Sequence, residues 1–285
     1  MGSRPSEWRL IAMPRKGKSS SARSVTSAER LKDELDEYEV MAKYYDVWYE
    51  DFTEDVNFYR TLSERTGGPV LECMCGTGRV MIPLADAGFE VTGVDQSSAM
   101  LDMLSSKTEL IGGRVERNIE VIESDIRSFR TSTRFRLAFV PFNSFLHLLT
   151  RKEQVDALNN IAAHMVDDAV LTISVFNPRL DRPENLVRHR GTKVTSKGEI
   201  ISKFESQTFD IGSMTTTVHF FYDISRQDRE FRRVTTSMTI KLMTYQEMAD
   251  LLDHCGFAVE AVYGDYSFSP YRKNSELMAF VARKL

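Results

Sequence analysis

The alternation of apolar and polar residues divides the first part of the chain into short buried strands separated by amphipathic helices. An apolar run at 70–75 follows the chain-breaking Gly67-Gly68-Pro69, and helical spacing of apolar residues resumes at 80–85 before Gly88. Similar patterns predict strands at 89–94, 119–122, 137–142 and 170–176, and helices at 28–45, 55–66, 97–105 and 151–165. Strands that alternate with helices at this spacing predict an α/β fold, with a doubly wound, mostly parallel sheet covered on both faces.

After Asn177-Pro178 the apolar period changes to two, which predicts an antiparallel meander over roughly 192–242. The alternating sets are Ile200, Ser202 and Phe204, then Val218, Phe220, Tyr222 and Ile224, then Val234, Thr236, Met238 and Ile240. Helical spacing returns after Thr244, which forms a predicted capping box with Glu247, and two last strands follow at 258–263 and 277–281. We therefore expect one domain made of 28–176 and 243–285. An antiparallel β insert, 177–242, follows its fifth strand as a substrate cap or a dimerisation surface.

Composition and charge narrow the class of protein. The 285 residues are 42% hydrophobic and 27% charged, which is ordinary for a globular protein, and no apolar run reaches the roughly 20 residues that span a bilayer. The net charge of −4 combines about +5 in residues 1–30 with about −9 in the remainder, so the body is a poor nucleic-acid binder. Three cysteines make no disulfide framework, which favours a reducing, cytoplasmic location. We expect a monomer or a homodimer.

The basic segment 1–27 has a different composition from the rest. Residues 15–27 are rich in Ser, Lys and Arg and contain no acidic residue, which is typical of disorder. Its apolar residues show no amphipathic period, so it matches an organelle transit peptide only in part. We therefore expect a disordered tail there.

The stretch "LECMCGTGRV" at 71–80 has two competing interpretations. A strand that ends in Gly-x-Gly and runs into a helix brings backbone N–H groups close to a ligand. A dinucleotide fold needs a small residue three positions after Gly78, and Met81 is too large, which disfavours a nicotinamide enzyme. A zinc site at Cys73 and Cys75, which would share one strand face, needs two more ligands nearby, so we expect buried apolar thiols and no metal.

The stretch from Glu72 to Gly78, an acidic residue followed by Gly76-Thr77-Gly78, resembles the first motif of the class I S-adenosylmethionine (SAM)-dependent methyltransferases. It departs from that motif at Met74, where a glycine is usual. The resemblance implies a Rossmann-like fold and SAM as the cofactor. The later strand ends match in order: Asp95 follows the second strand, Asp125-Ile126 the third, and "PFNSFLHLLT" at 141–150 the fourth.

The resemblance assigns functional residues one by one. Asp95 would hold the ribose hydroxyls, Met100 would pack on the adenine, and Asp125 with Ile126 would meet the adenine edge. Tyr44 and Tyr45, in a segment similar to one that folds over the cofactor, would reach its methionine end, as would Arg79; an aromatic cluster and an exposed arginine are the structural alternatives. The complete expected cofactor set is Tyr44, Tyr45, Glu72, Gly76, Thr77, Gly78, Arg79, Asp95, Gln96, Met100, Asp125, Ile126 and Phe142.

Of the five histidines, His147 alone lies in a loop expected to face the transferred methyl group. It is the predicted catalytic base, with a structural role as the alternative. His219 and Tyr222, on the insert, are the predicted substrate residues. The sequence thus predicts a methyltransferase acting on an O or N nucleophile of a small molecule. The alternatives are methylation of protein or RNA, or a SAM-binding module without catalysis.

Overall fold

A computed structural model describes residues 39–178, 186–195, 197–226 and 231–285. The predicted tail, 1–27, and the beginning of the predicted helix at 28–45 lie outside these ranges. The first described element is helix α1, over 39–49. The remaining helices are α2 (Glu54–Thr66), α3 (Met81–Asp86), α4 (Ser98–Ile111), α5 (Gly113–Asn118), α6 (Arg151–Ala163) and α7 (Tyr245–His254).

The larger of two sheets has seven strands in the order β10-β11-β5-β4-β1-β2-β3. Strands β1 to β5 run parallel to one another, whereas β11 pairs antiparallel with both β5 and β10 at one edge. Their bounds are β1 (Val70–Cys73), β2 (Val91–Asp95), β3 (Ile119–Glu123), β4 (Phe135–Val140), β5 (Met165–Phe176), β10 (Phe257–Tyr263) and β11 (Leu277–Lys284). The predicted doubly wound, mostly parallel sheet is confirmed.

The sheet separates two apolar cores. One face, with Leu71 and Cys73, packs against α6 and α7, and the other, with Val70, packs against α2, α3 and α4. All four residues of β1 are buried because the strand is covered on both faces, so its sequence is a continuous apolar run interrupted only by Glu72. Capping boxes at Thr150–Glu153 and Thr244–Glu247 begin α6 and α7, and the second of these was predicted.

Met81 begins α3 and packs against β2, at the position where a dinucleotide-binding fold would need a small residue. A Cβ placed on Gly93 of β2 would lie 2.8 Å from the Met81 Sδ and 2.8 Å from the Cys75 Sγ. The missing side chain on the strand therefore gives the methionine its space. Close helix–strand contact is achieved with the small residue on β2 instead of on α3.

The second sheet has four antiparallel strands in the order β6-β7-β8-β9. These are β6 (Arg188–Val194), β7 (Ile200–Asp210), β8 (Thr215–Ser225) and β9 (Phe231–Lys241), and they follow β5 in the chain as expected. Strand β8 pairs along all 11 residues with both neighbours, and its residues alternate between buried and half-buried. The inner face joins the core on the α6–α7 side of the main sheet, so this sheet, hereafter the roof, covers the ends of the parallel strands.

Two local expectations were wrong, and one short helix was missed. The short helix α5 was not predicted, because its six residues contain a single buried side chain, Val115. Cys73 and Cys75 do not share a face: Met74 has a φ of 59°, which turns the chain at the strand end and sends the two thiols into opposite cores. In β7 the inward set is Ile201 and its odd-numbered neighbours, whereas Ile200, Ser202 and Phe204 had been expected on the apolar side.

Candidate active site

A cavity of about 1010 Å³ lies at the carboxyl ends of β1 to β4, between the main sheet and the roof. The ends of parallel strands in an open sheet form the usual ligand crevice. The volume is at the upper end of the range for small-molecule sites, roughly 300–1,000 Å³. One end of the cavity is lined by residues that follow the parallel strands, and the other by the inner face of the roof.

The turn after β1 is held in a shape that requires glycine. Gly76 and Gly78 have φ values of 54° and 78°, and the Gly76 N–H donates to the Asp95 Oδ2 at 2.8 Å. A Cβ on Gly76 would meet little but the Met100 Sδ, at 4.0 Å, whereas one on Gly78 would collide with Leu104. Gly76 therefore faces the cavity, and Gly78 gives the turn close contact with α4.

Asp95 ends β2 with both carboxylate oxygens on backbone donors. Oδ2 accepts from the Gly76 N–H, and Oδ1 accepts from the Ser97 N–H at 2.9 Å. Burial raises the pKa of this carboxyl, and the backbone hydrogen bonds oppose that shift. Each oxygen has a second lone pair, so the carboxylate can still accept hydrogen bonds from a ligand in the cavity. Ser97, and not Asp95, caps α4.

At the end of β3, Asp125 and Ile126 line the next part of the cavity. Asp125 accepts the backbone N–H of Arg127 at 2.8 Å and forms an ion pair with the Arg127 guanidinium. That guanidinium also reaches Glu153, at 3.1 Å, on the first turn of α6. The carboxylate thus has a fixed orientation at the cavity wall.

Arg79 is buried, so the expected alternative of an exposed helical arginine was wrong. Its guanidinium forms a bidentate ion pair with Asp55 of α2, with N–O distances of 2.7 and 2.6 Å. The Arg79 and Asp55 side chains are 8% and 0% exposed. The rings of Phe52 and Phe142 lie 5.3 and 5.1 Å from the guanidinium carbon. Burial also raises the pKa of the neighbouring Tyr45 to about 12, against the opposing effect of Arg79. Arg79 and Tyr45 therefore form one wall of the cavity.

The segment after β4 turns sharply into the cavity. Phe142 and Asn143 have φ values of 51° and 67°, a left-handed conformation that is uncommon for residues other than glycine. The turn is held by Asn143, whose Oδ1 accepts the Phe176 N–H at 2.6 Å, and by Ser174, whose Oγ accepts the Phe142 N–H at 3.0 Å. This conformation places the Phe142 ring beside Arg79.

His147 ends the short 3-10 helix Ser144–His147 and lines the same cavity. Phe145 and Leu146 are fully buried and anchor the segment in the core. Burial lowers the pKa of the imidazole to about 4, so the ring is neutral at physiological pH. A neutral imidazole at the cavity wall can accept a proton or a hydrogen bond.

The roof presents every second residue of β8 to the cavity. Thr216, Val218, Phe220 and Tyr222 line it, whereas His219 lies on the opposite strand face. His219 therefore does not face this cavity, because residues three apart on a strand face opposite ways, and its substrate role stays a prediction. Tyr222 also stacks on Tyr44, with ring centroids 4.8 Å apart.

Most of the residues predicted for the site meet at this cavity. Those that line it are Tyr45, Glu72, Gly76, Arg79, Asp95, Gln96, Met100, Asp125, Ile126, Phe142, His147 and Tyr222. Tyr44, Thr77, Gly78 and His219 do not. Thr77 is buried, and its hydroxyl donates to Asp46 of α1 at 2.6 Å, so it connects the glycine turn to α1.

Sequence reasoning missed the lysine and tyrosine at the roof end of the cavity. Lys203 of β7 and Tyr49 of α1 both line it, with the lysine Nζ 2.9 Å from the tyrosine Oη. A charged residue on the inner face breaks the expected apolar alternation, which is why the wrong set of β7 residues was expected to face inward. The one available signal was Ile201, two residues before Lys203 and therefore on the same face.

Metal and membrane features are not found in the part of the chain that the structure describes. No three His, Cys, Asp or Glu side chains within those ranges come close enough to hold a metal ion. Within the same ranges, no helix is both long enough and apolar enough to span a membrane.

Comparisons with known proteins agree with this geometry. Residues 70–168 match a family model described as a methyltransferase domain. The chain is 27% identical over 238 residues to the cypemycin N-terminal methyltransferase of a Streptomyces species, covering 80% of this chain and 87% of that protein. It is 26% identical over 198 residues to the dTDP-3-amino-3,6-dideoxy-alpha-D-glucopyranose N,N-dimethyltransferase of Streptomyces fradiae, covering 68% and 72%. A solved SAM-dependent methyltransferase from Clostridium acetobutylicum ATCC 824 superposes with a TM-score of 0.73 at 14% identity, covering 87% of this chain and 98% of that one.

The parallel sheet, the crevice at its carboxyl edge and these matches define the class of protein. Residues 70–168 match a methyltransferase domain, and the predicted resemblance to the class I SAM-dependent methyltransferases is confirmed. It is an enzyme of that type, and its cofactor is SAM, as the sequence predicted.

The residues at the glycine turn fit that cofactor. Within the described ranges, two buried polar atoms here have no hydrogen-bond partner: the Glu72 Oε2, an acceptor, and the Arg79 Nε, a donor. The amino-acid end of SAM carries an ammonium and a carboxylate, which complement an acceptor and a donor. Burial raises the pKa of Glu72 well above its usual range, and a cation beside it would favour the ionised carboxylate.

Proposed function

We propose that this methyltransferase transfers a methyl group to a nitrogen atom of a small-molecule acceptor held beneath the roof. The observation that carries this proposal is one cavity, lined at one end by Asp95 and Asp125 and at the other by Phe220 and Tyr222. A cofactor-sized group at the first end leaves space only for a small acceptor, or the end of a larger one, at the second. The cavity geometry therefore favours small molecules over a folded protein or RNA.

In this proposal, residues at the ends of different strands bind different parts of the cofactor. Asp95 accepts the ribose hydroxyls, while Asp125 and the Ile126 backbone meet the adenine. Glu72 and Arg79 face the ammonium and the carboxylate of the methionine end. The support for this arrangement is the order of these residues along the cavity wall, which follows the order of the parallel strands.

When bound, SAM supplies an electrophilic methyl group on a sulfonium. The protein's task is then to hold the nucleophile in line with that carbon and to exclude water, and positioning of this kind can supply about 7–11 kcal/mol. Phe142, Phe220 and Tyr222 give the cavity its apolar walls. His147, neutral because burial lowers its pKa to about 4, accepts a hydrogen bond from the acceptor nitrogen and so orients it toward the methyl group.

The names of the relatives favour nitrogen over oxygen. One is named for methylation at an N-terminus and the other for N,N-dimethylation of an amino sugar. The first name also supports a second candidate, the N-terminal amine of a peptide. Such an acceptor would place only its first residue under the roof.

The test is methyl transfer from labelled SAM to the small-molecule fraction of a cell extract, with a panel of short peptides as a second arm. We expect label in one small-molecule product, with the new methyl on nitrogen by NMR. Label only in peptides would establish the second candidate, and a new methyl on oxygen would contradict the nitrogen proposal.

Two residues of β8 provide a test variant and its control for the end of the cavity where we place the acceptor. Tyr222→Ala removes a ring from the cavity wall, so KM for the acceptor should rise by about tenfold or more while SAM affinity stays within a few-fold. His219→Ala, on the other strand face, should leave both unchanged. Equal effects of the two variants would contradict the placement of the acceptor beneath the roof.

A further inference from the structure

The middle of β7 carries a lysine that is buried at the roof end of the cavity. Lys203 is 3% exposed and lines the cavity. Its Nζ lies 4.9 Å from the ring centroid of Tyr49, 4.8 Å from that of Phe220 and 5.8 Å from that of Trp48. A methionine would fill this space without the free-energy penalty of removing an ammonium from water. The charge therefore calls for a functional explanation.

The charges around Lys203 do not balance. Glu205 forms ion pairs with the Lys203 Nζ at 3.0 Å and with the Arg190 Nε at 2.6 Å, so one carboxylate serves two cations. These three side chains, all at the cavity wall, sum to one positive charge. The Arg190 side chain is 45% exposed and so partly solvated, but Lys203 and Glu205 are buried or nearly so, and the net positive charge at this wall favours an anion here.

The same cluster has more hydrogen-bond donors than acceptors. The Tyr49 Oη accepts from Lys203 at 2.9 Å, so its own proton is available to another acceptor. Lys203 has three N–H groups, of which one donates to Tyr49, while Glu205 forms an ion pair with the same ammonium. A group with several acceptor oxygens would satisfy these donors.

We propose that Lys203, Tyr49 and Arg190 bind an anionic group of the acceptor, a carboxylate or a phosphate. The acceptor is then an amine that also carries a negative charge, with its nitrogen toward His147 and its anion beneath β7. This rests on the proposed function and names the substrate class for the same site. Charge-assisted hydrogen bonds to such a group fix both its position and its orientation.

The test uses the tryptophan beside Lys203 as a reporter. The chain has two tryptophans, so in a Trp8→Phe background the emission comes from Trp48 alone. The full-length protein, saturated with S-adenosylhomocysteine, is titrated with inorganic phosphate, pyrophosphate, acetate and succinate, with sodium chloride as the ionic-strength control. We expect a saturable change with phosphates or with carboxylates and none with chloride, and the responding pair identifies the anion.

Matched variants assign the response to Lys203. Lys203→Met should weaken anion binding by at least about tenfold, the low end for a hydrogen bond to a charged group. Lys193→Met is the control, because Lys193 also lies over the Trp48 ring, at 6.0 Å, but is paired with Asp51 and does not line the cavity. Glu205→Gln should strengthen binding, because it removes the competing negative charge.

The outcomes separate this proposal from the proposed function. Affinity for S-adenosylhomocysteine, measured by calorimetry, should stay within a few-fold in all three variants. No saturable response, or equal responses in Lys203→Met and Lys193→Met, overturns the anion site even where neutral amines are methylated. Saturable, Lys203-dependent binding alongside exclusively O-methylated products would keep the anion site and overturn the nitrogen assignment.

Discussion

Replacing Asp95 with alanine removes the carboxylate that connects the glycine turn to the proposed ribose position. Its two oxygens accept the N–H groups of Gly76 and Ser97 at 2.8 and 2.9 Å, and their remaining lone pairs face the cavity. The substitution therefore has two effects. It removes the proposed hydrogen bonds to the cofactor, and it leaves two backbone donors without their acceptor.

The two effects have separate magnitudes. Hydrogen bonds to a charged group contribute about 1.5–3 kcal/mol, so affinity for SAM should fall by about 10- to 150-fold. Each unpaired backbone N–H costs about 1–3 kcal/mol when water cannot reach it, so the free energy of unfolding of the cofactor-free protein should also fall. Asp95→Asn should not rescue the loss fully, because its NH₂ group would face one of the two backbone donors.

Calorimetric titration with S-adenosylhomocysteine gives the affinity, and urea denaturation of the cofactor-free protein gives the stability. Asp102→Ala is the matched control, because Asp102 is an exposed residue of α4 that does not line the cavity. Unchanged affinity in Asp95→Ala, with the fold intact by circular dichroism, would refute the ribose assignment. A stability loss without an affinity loss would restrict Asp95 to holding the turn.

Two further predictions concern buried charge. Asp55→Asn leaves the Arg79 guanidinium without its counter-ion, so the free energy of unfolding should fall by about 3–5 kcal/mol in urea denaturation. Removing the exposed partner of Arg60 in the same helix, Glu64→Gln, should change it by less than about 1 kcal/mol. His147 has a pKa of about 4 in the fold and about 6.5 when unfolded, so the unfolded state binds more protons as pH falls below 6.5. Between pH 7.5 and 5 the unmodified protein should therefore lose up to about 2 kcal/mol more stability than His147→Asn.

The outcomes that contradict these two predictions are distinct. Similar losses in Asp55→Asn and Glu64→Gln would mean that burial does not strengthen the pair. Parallel pH–stability curves for the unmodified protein and His147→Asn would mean that the imidazole is not desolvated. Such a result would also weaken the role of His147 as a neutral hydrogen-bond acceptor.

The strand ends were predictable because their signals are local. A buried strand followed by Gly76-Thr77-Gly78, or by Asp95, places those residues at the carboxyl edge of the sheet whatever the remainder of the chain does. The partner of Arg79 was not predictable in this way. Asp55 lies 24 residues earlier, on α2, and only the packing of that helix against the sheet brings the two side chains together.

The roof was harder to predict than the main sheet because one face of it lines a polar cavity. In β8 the inner residues are apolar and the alternation is clear, so Tyr222 was placed correctly. In β7 the inner residues include Lys203 and Glu205, and period-two hydrophobicity cannot identify a face that binds a polar ligand. The strand whose inward face was predicted wrongly, β7, is the strand that brings these charged side chains to the cavity.

The contact between Met81 and Gly93 makes two distant positions depend on one another in evolution. A side chain at 93 needs additional space, because a Cβ there would meet both the Met81 Sδ and the Cys75 Sγ at 2.8 Å, and a smaller residue at 81 provides part of that space. Gly93→Ala alone should therefore be more damaging than the same change made together with Met81→Ala. Relatives that carry a small residue after the glycine turn are free to place a larger one on the second strand, so these two positions should covary.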